Sequence, residues 1–213
     1  MKKRSRSPKK RKLFYKKELK QFLSQINNKN IKIKTKEEIK EDIKVKGNLC
    51  GNKSLLKYLI QSLKTKKIID YILLFSKNKE EELCGILIAM LDECHKDNKS
   101  TIDSSLQNIW SLRIICSNKK GFGKIMVGAF IYSLLCRKEE GSGKYDKTIL
   151  DVANGYKNGA ALHLYKKFGY KINTLMNCYE YNKIENTQYG NLKMDLNLNN
   201  IEKEKIILII NEI

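Results

Sequence analysis

Apolar residues recur along this chain with two different periods, and the switches between them mark its elements. Leu19, Phe22, Leu23 and Ile26 stand three and four apart, a spacing that predicts a short amphipathic helix from Leu13 to about Asn27. Asn30-Ile31-Lys32-Ile33-Lys34 alternates instead, as an edge strand does. In Thr35-Lys36-Glu37-Glu38 a hydroxyl is followed three residues later by a carboxylate. That is a capping box, and it predicts a helix running through Ile39 and Ile43. Ser54 caps a second helix bearing Leu55, Leu56, Leu59, Ile60 and Leu63. Two β-branched and apolar runs, Asp70 to Ser76 and Glu82 to Asp92, are separated by the polar turn Lys77-Asn78-Lys79-Glu80-Glu81, and so short a connection predicts an antiparallel hairpin. Glu93 to Ser104 is polar and reads as an exposed loop.

The second half switches period more sharply. A strand over 105–117 gives way to a helix over 121–138 with Ile125, Ala129, Tyr132 and Leu135 facing the sheet. Another strand, Thr148 to Asn154, leads to a helix beginning at Asn158 and stopping at Gly169. Two more strands are expected near 175–182 and 191–198. The run Ile206-Ile207-Leu208-Ile209-Ile210 within the C-terminal segment 201–213 needs cover, as an extra edge strand or a dimer contact. The chain therefore divides into an N-terminal arm and helix over 1–29, a domain over 30–200 and that apolar segment.

Chemistry concentrates at two places. Asn118-Lys119-Lys120-Gly121-Phe122-Gly123-Lys124 lies where a strand hands over to a helix. The first amides of a helix lack intrahelical partners and its dipole is positive there, so an anion suits the position. Glycine lets backbone approach the anion closely. Downstream, Asn158, Ala161 and Tyr165 are three and four apart, near one face of one helix.

Together these stretches resemble the GNAT superfamily of N-acetyltransferases. The first is similar to the superfamily's acyl-CoA pyrophosphate loop, Gln/Arg-x-x-Gly-x-Gly/Ala, with Asn118 in place of Gln or Arg. Upstream phosphate contacts then fall to Lys119, Lys120 or backbone amides. The second, Asn158 through Ala161 and Tyr165 to Gly169-Tyr170, resembles the following helix, Asn-x-x-Ala-x-x-x-Tyr-x-x-x-Gly-Phe/Tyr, at every position. The resemblance covers residues 109 to 172 specifically. It implies an α/β (α+β) fold: a mixed, mostly antiparallel twisted sheet flanked by helices, with a central parallel strand pair splayed for acyl-CoA.

The implied activity is direct transfer of an acetyl group from acetyl-CoA to a primary amine, with no metal. The implied cofactor contacts are Ile114, Ile115 and Cys116 at the strand end, Lys119, Lys120, Gly121, Phe122, Gly123 and Lys124 in the turn, and Asn158, Ala161 and Tyr165 on the next helix. A lysine-type amine has a reference pKa of about 10.4, so a base must take its proton. Asp151 and Asp92 are the candidates. Tyr165 is the candidate acid, its phenol protonating the departing thiolate. The acceptor stays open among protein lysine, a protein N-terminus, a polyamine and a small amine. A non-catalytic acyl-CoA-binding module, or a protein binding nucleic acid or a nuclear partner on the same fold, is the alternative.

Composition narrows this further. The net charge is +20, yet eleven of the first twenty residues are Lys or Arg and one is acidic. The chain thus carries a basic tail rather than a uniformly basic surface. Residues 1–12, ending Pro8-Lys9-Lys10-Arg11-Lys12, read as a solvated arm serving nuclear import, contact with nucleic acid, or solubility alone. Six cysteines without a Cys-x-x-Cys pair read as reduced thiols in an intracellular protein; for Cys116 packing is preferred over a nucleophilic role. Cys94, His95 and His163 give no set of about four zinc ligands. No apolar run approaches the ~20 residues that span a bilayer, so a soluble protein is expected. Gly141-Ser142-Gly143-Lys144 fails as a P-loop because Lys138 stands at the first glycine position and Tyr145 at the magnesium-binding one.

Overall fold

In the computed structural model, which describes residues 12–38, 69–76, 82–95, 106–141, 145–152, 157–173 and 192–212, the alternating and apolar runs become seven strands. They are β1 (Ile31–Thr35), β2 (Ile69–Ser76), β3 (Leu83–His95), β4 (Leu106–Ser117), β5 (Lys147–Val152), β6 (Lys171–Ile172) and β7 (Leu192–Asn197). The α-helices among the described residues are α1 (Lys16–Gln25), α2 (Phe122–Glu139), α3 (Gly159–Lys167) and α4 (Lys203–Asn211). The strands form one sheet in the order β1-β2-β3-β4-β5-β7-β6. All neighbours run antiparallel except β4 and β5, which are parallel. This is the mixed, mostly antiparallel sheet with one central parallel pair that the resemblance implies.

Two irregularities interrupt the middle of the sheet. The parallel ladder joins only Ser111 to Ile149 and Leu112 to Leu150, although β4 continues to Ser117. On the other side of β4, Ile88 pairs with Ile114 and Ala89 with Leu112. Arg113 is therefore the extra residue of a β-bulge, which bends and twists its strand locally.

The helix expected to bury Ile125, Ala129, Tyr132 and Leu135 does so, but α2 is covered nearly all round, with fourteen of its eighteen residues buried. Three neighbours account for this. The sheet lies on one side, where Gly85 of β3 leaves room for Met126. α1 lies on another, with the Phe22 and Tyr132 ring centroids 5.4 Å apart. The third is α4, and here the expectation of an edge strand is corrected: the segment is helical, and Ile206, Ile209 and Ile210 fall on one face buried within the chain. A Cβ on Gly128 would collide with Ile210 Cδ1, so the missing side chain is what lets α4 approach α2. The five consecutive apolar residues hide this helical period in the sequence, and only Leu208 at 66% exposure remains outside.

The N-terminal helix joins the same core. Leu13, Phe14, Leu19, Phe22 and Ile26 are buried, and the Leu13 and Phe14 amides both donate to Asp70 Oδ2 at 3.0 Å. Arg137 of α2 forms an ion pair with Glu18 of α1 and lies 4.1 Å from the Tyr15 ring centroid. Glu38 reaches back to Thr35, its Oε2 accepting from the Thr35 amide and hydroxyl at 3.0 and 3.2 Å, which is the carboxylate half of the expected capping box.

The hairpin of β2 and β3 is as expected and β4 starts at Leu106, within the strand expected over 105–117, but β3 extends to His95 into what reads from sequence as a loop. The arm over 1–11, the helices through Ile39–Ile43 and after Ser54, the turn at 77–81 and the strand near 175–182 lie outside the described residues. Cys84 and Cys136 are free and buried. Cys116 corrects the expectation of reduced thiols, being disulfide-bonded. Among the described residues no helix is long and apolar enough to cross a membrane, and no group of His, Cys, Asp and Glu is placed to hold a metal ion.

Candidate active site

A cleft of 240 Å³ opens where β4 and β5 part. β4 supplies Leu112, Arg113, Ile114 and Ile115 to its walls, β5 supplies Asp151 and Val152, and α3 closes it with Asn158, Ala161 and Tyr165. The geometry comes from the short ladder: among the described residues the pairing of β4 with β5 ends at Leu112 and Leu150, and the residues just past it on both strands line the cleft. Of the residues singled out by sequence, Ile114, Ile115, Asp151, Asn158, Ala161 and Tyr165 meet here.

α3 is fixed at both ends. Asn158 is its N-cap, the side-chain Oδ1 accepting from the Ala161 amide at 3.3 Å, so the residue caps the helix and lines the cleft at once. At the other end Gly169 has φ 91°, the left-handed stop expected of glycine, and the Phe168 and Tyr170 amides both donate to the Tyr165 carbonyl at 3.1 Å. The Tyr165 side chain is 5% exposed and meets the Tyr170 ring edge-on, centroids 5.9 Å apart. Burial pushes its phenol up to about 12, because the phenolate is the form that loses hydration. It is therefore a proton donor throughout the neutral range.

The glycine turn adjoins this cleft. The Asn118 amide donates to the Cys84 carbonyl at 3.0 Å, tying the turn to β3. Gly121 caps α2 at φ 84° with no side-chain hydrogen bond to the helix start, and nothing lies within 4 Å of where its Cβ would be. A Cβ on Gly123 would sit 3.6 Å from Leu164 Cδ2 and 3.9 Å from Ser117 Oγ. The start of α2 is thus next to α3 and the end of β4.

The other turn residues play unequal parts. Phe122 is buried and its amide donates to the Lys119 carbonyl at 3.3 Å. Lys119 Nζ is 3.5 Å from Glu82, and Lys120 is exposed. Lys124 Nζ donates to the Glu212 carbonyl at 2.7 Å; burial and neighbouring Lys167 push its ammonium down, against the pull of Glu212. Cys116 lies past the cleft at the end of β4.

Asp92, the second candidate base, does not line the cleft. It is 0% exposed, accepts from Arg113 Nη2 at 2.7 Å, and takes a close hydrogen bond from the Ser111 hydroxyl. Its partner Arg113 is the cleft residue that sequence reasoning missed. The available signal was one charged residue inside the apolar run Ile109 to Cys116, where an unpaired charge would not be tolerated.

No protein-family model matches the chain, and no curated protein matches it. Solved structures do. A tyrosine-to-phenylalanine mutant of the toxin AtaT, bound to the C-terminus of the antitoxin AtaR and to acetyl-CoA, matches over 86% of this chain and 99% of that one, with TM-score 0.55 and 12% identity. The KacTA–DNA complex matches over 84% and 98%, with TM-score 0.55 and 13% identity. A bacterial toxin matches over 79% and 91%, with TM-score 0.53 and 16% identity. At these identities the likeness is one of fold, and it extends over nearly the whole length of each of these proteins.

Proposed function

We propose that the protein is an acetyl-CoA-dependent N-acetyltransferase acting on a primary amine. The observation that carries the reading is the cleft itself: it opens between two parallel strands, is closed by Tyr165, and adjoins an uncapped helix start. The solved AtaT structures that share the fold include acetyl-CoA complexes, which supports the same co-substrate here.

The chain's residues divide the work among them. The amides of Gly121, Gly123 and Lys124 meet a diphosphate, with Lys120 available as counter-charge. The unladdered edge of β4 from Ile114 to Cys116 pairs with the amides of a pantetheine arm, and a backbone amide near Ile115 donates to the thioester carbonyl as charge develops on its oxygen. Acetyl-CoA, when bound, supplies the activated acetyl group. Asp151 receives the proton of the acceptor amine, directly or through water, and the amine nitrogen bonds to the carbonyl carbon as the carbon–sulfur bond breaks. Tyr165 gives its proton to the departing thiolate and recovers one from solvent. Net, an ammonium and acetyl-CoA become an amide, free CoA thiol and one proton.

Two measurements test this. Calorimetry is expected to show acetyl-CoA binding, and a thiol-release assay over amines, amino acids, polyamines and proteins is expected to show turnover with at least one class. Binding without turnover on any acceptor would leave a non-catalytic acyl-CoA-binding module. Absence of binding would leave the fold alone.

A further inference from the structure

Acetyl transfer gives no task to the N-terminal end of the chain, yet the fold builds a root for it. Asp70 of β2 is 4% exposed and accepts from the Leu13 and Phe14 amides, whose side chains are fully buried. The point from which residues 1–11 continue is therefore fixed, beside the first turn of α1. Those eleven residues hold seven Lys or Arg and no acidic residue.

The surface around this root is sorted by charge. Four acidic side chains there are held by cations of the fold: Glu18 and Glu140 by Arg137, Glu37 by Lys12 and Glu38 by Lys16 at 2.8 Å. Glu18, the one acid among the first twenty residues, is turned inward and buried. What α1 shows to solvent is Lys16, Lys17, Lys20, Gln21, Ser24 and Gln25, which are cationic or neutral. Its apolar residues Leu19 and Phe22 are taken up by the core.

We propose that residues 1–11 and the outward face of α1 bind nucleic acid through its phosphates, without reading sequence. A duplex carries one negative charge per about 1.7 Å of axis, so a run of cations meets phosphates in any register. Eleven residues reach at most about 40 Å, comparable with the roughly 35 Å of one duplex turn. Lys17 and Lys20, three apart on one helix, continue the basic row onto the fold. A membrane is the poorer match, because a helix lying on lipid buries its apolar face there and that face of α1 is already covered by the core. The Arg137 end of α2 lies roughly 24 Å from its Gly121 start, at 1.5 Å per residue, so this surface is separate from the cleft.

The test is fluorescence anisotropy of the full chain on a labelled DNA duplex, a second duplex of unrelated sequence and an RNA duplex matching the first, from about 50 to about 200 mM salt. The expected log–log slope of affinity against salt is steeper than about −5, as when about six or more phosphates are neutralised. The two DNA sequences are expected to bind within a few-fold of each other. Removing residues 1–11 is expected to cost at least about 100-fold in affinity and to leave a slope of about −2. Lys17→Gln combined with Lys20→Gln should lower the slope by about 2. A chain with residues 1–11 in shuffled order should bind as the original does, and thermal melts check that each variant is folded.

A slope no steeper than about −2 for the full chain, an arm deletion without effect, or a slope unmoved by the paired lysine substitutions would overturn the proposal. So would a shuffled arm that no longer binds, or a preference above about tenfold between the two DNA sequences, since either means that sequence is read. Vesicles containing phosphatidylserine and a polyglutamate peptide are run at matched charge. Tighter binding to either would make the partner a lipid surface or an acidic protein instead. A preference for DNA or for RNA leaves phosphate recognition standing and names the source. None of these readouts uses acetyl-CoA, so the result is independent of the acetyl-transfer reading.

Discussion

Tyr165 carries the most consequence of any single residue, because its burial sets both a chemical role and a stability signature. Replacing it with Phe keeps the ring against Tyr170 and deletes only the acid. The expected result is a fall in kcat of roughly 10²-fold, the usual worth of a positioned proton donor, with acetyl-CoA affinity by calorimetry within a few-fold of the original. A kcat that does not change would take the phenol out of the mechanism. The same burial has a pH consequence. Tyr165 is raised from 10 to about 12, and Tyr170 is raised further still by burial. Stability from a raised pKa is fully present below the unfolded value and is lost as pH climbs through the window up to the folded one. Urea melts should therefore show stability falling above pH 10, by about 1.4 kcal/mol per pH unit for each such tyrosine, and Tyr165→Phe should flatten that slope by about one tyrosine's share. The spacing of Asn158, Ala161 and Tyr165 placed them near one face of one helix, and the roles proposed for Tyr165 and Asn158 are those that the resemblance of this stretch to the family's motif implied. Arg113 was not legible, since its meaning depends on Asp92, a residue of a different strand.

At the scale of elements, the junction of α2 with its neighbours is where small changes tell. Gly123 lies beside Leu164 of α3 and Ser117 of β4, so Gly123→Val fills space at the entrance to the proposed diphosphate site. Acetyl-CoA affinity is expected to drop at least tenfold while the melting temperature moves little, and unchanged affinity would detach the turn from the ligand. The opposite pattern belongs to Arg137, which pairs with Glu18 and stacks on Tyr15, with 7% of its side chain exposed. Arg137→Ala strands the carboxylate of Glu18 between α1 and α2, and the expected loss is about 3 kcal/mol in chemical denaturation. A loss under about 1 kcal/mol would mean that water replaces the guanidinium freely. The α1 helix was legible from its spacing, yet its docking was not, because the partner surface on α2 is assembled from residues more than a hundred positions away. Nor was α4: an unbroken apolar run has no visible period, and the groove that receives it exists only because Gly128 lacks a side chain.

Across the whole molecule, the C-terminal helix closes the structure on its own N-terminal part. The Asn27 amide donates to Asn211 Oδ1 at 2.8 Å, and Asn211 Nδ2 donates to the Gln25 carbonyl at 3.1 Å. Glu212 accepts from Lys124 through its carbonyl and pairs with Lys167 at 2.7 Å through its carboxylate. One short segment thus touches the end of α1, the first turn of α2 and the last turn of α3, and the latter two frame the proposed cofactor site. Removing residues 203–213 would expose the Gly128 groove and forgo the burial of Ile206, Ile209 and Ile210, each worth about 1.5–3 kcal/mol. That sum is comparable with the net stability of about 5–15 kcal/mol typical of a folded domain, so the truncated chain is expected to lose its cooperative thermal transition rather than shed a peripheral helix. Dispersing the loss tests the same point more gently. Gly128→Ala forces Ile210 aside and should destabilise by about 1–3 kcal/mol as overpacking does, with acetyl-CoA affinity falling alongside because the Glu212 contacts to α2 and α3 shift with α4. A truncated protein that melts cooperatively and binds acetyl-CoA as the full chain does would show that the ends are tied together without supporting the site between them.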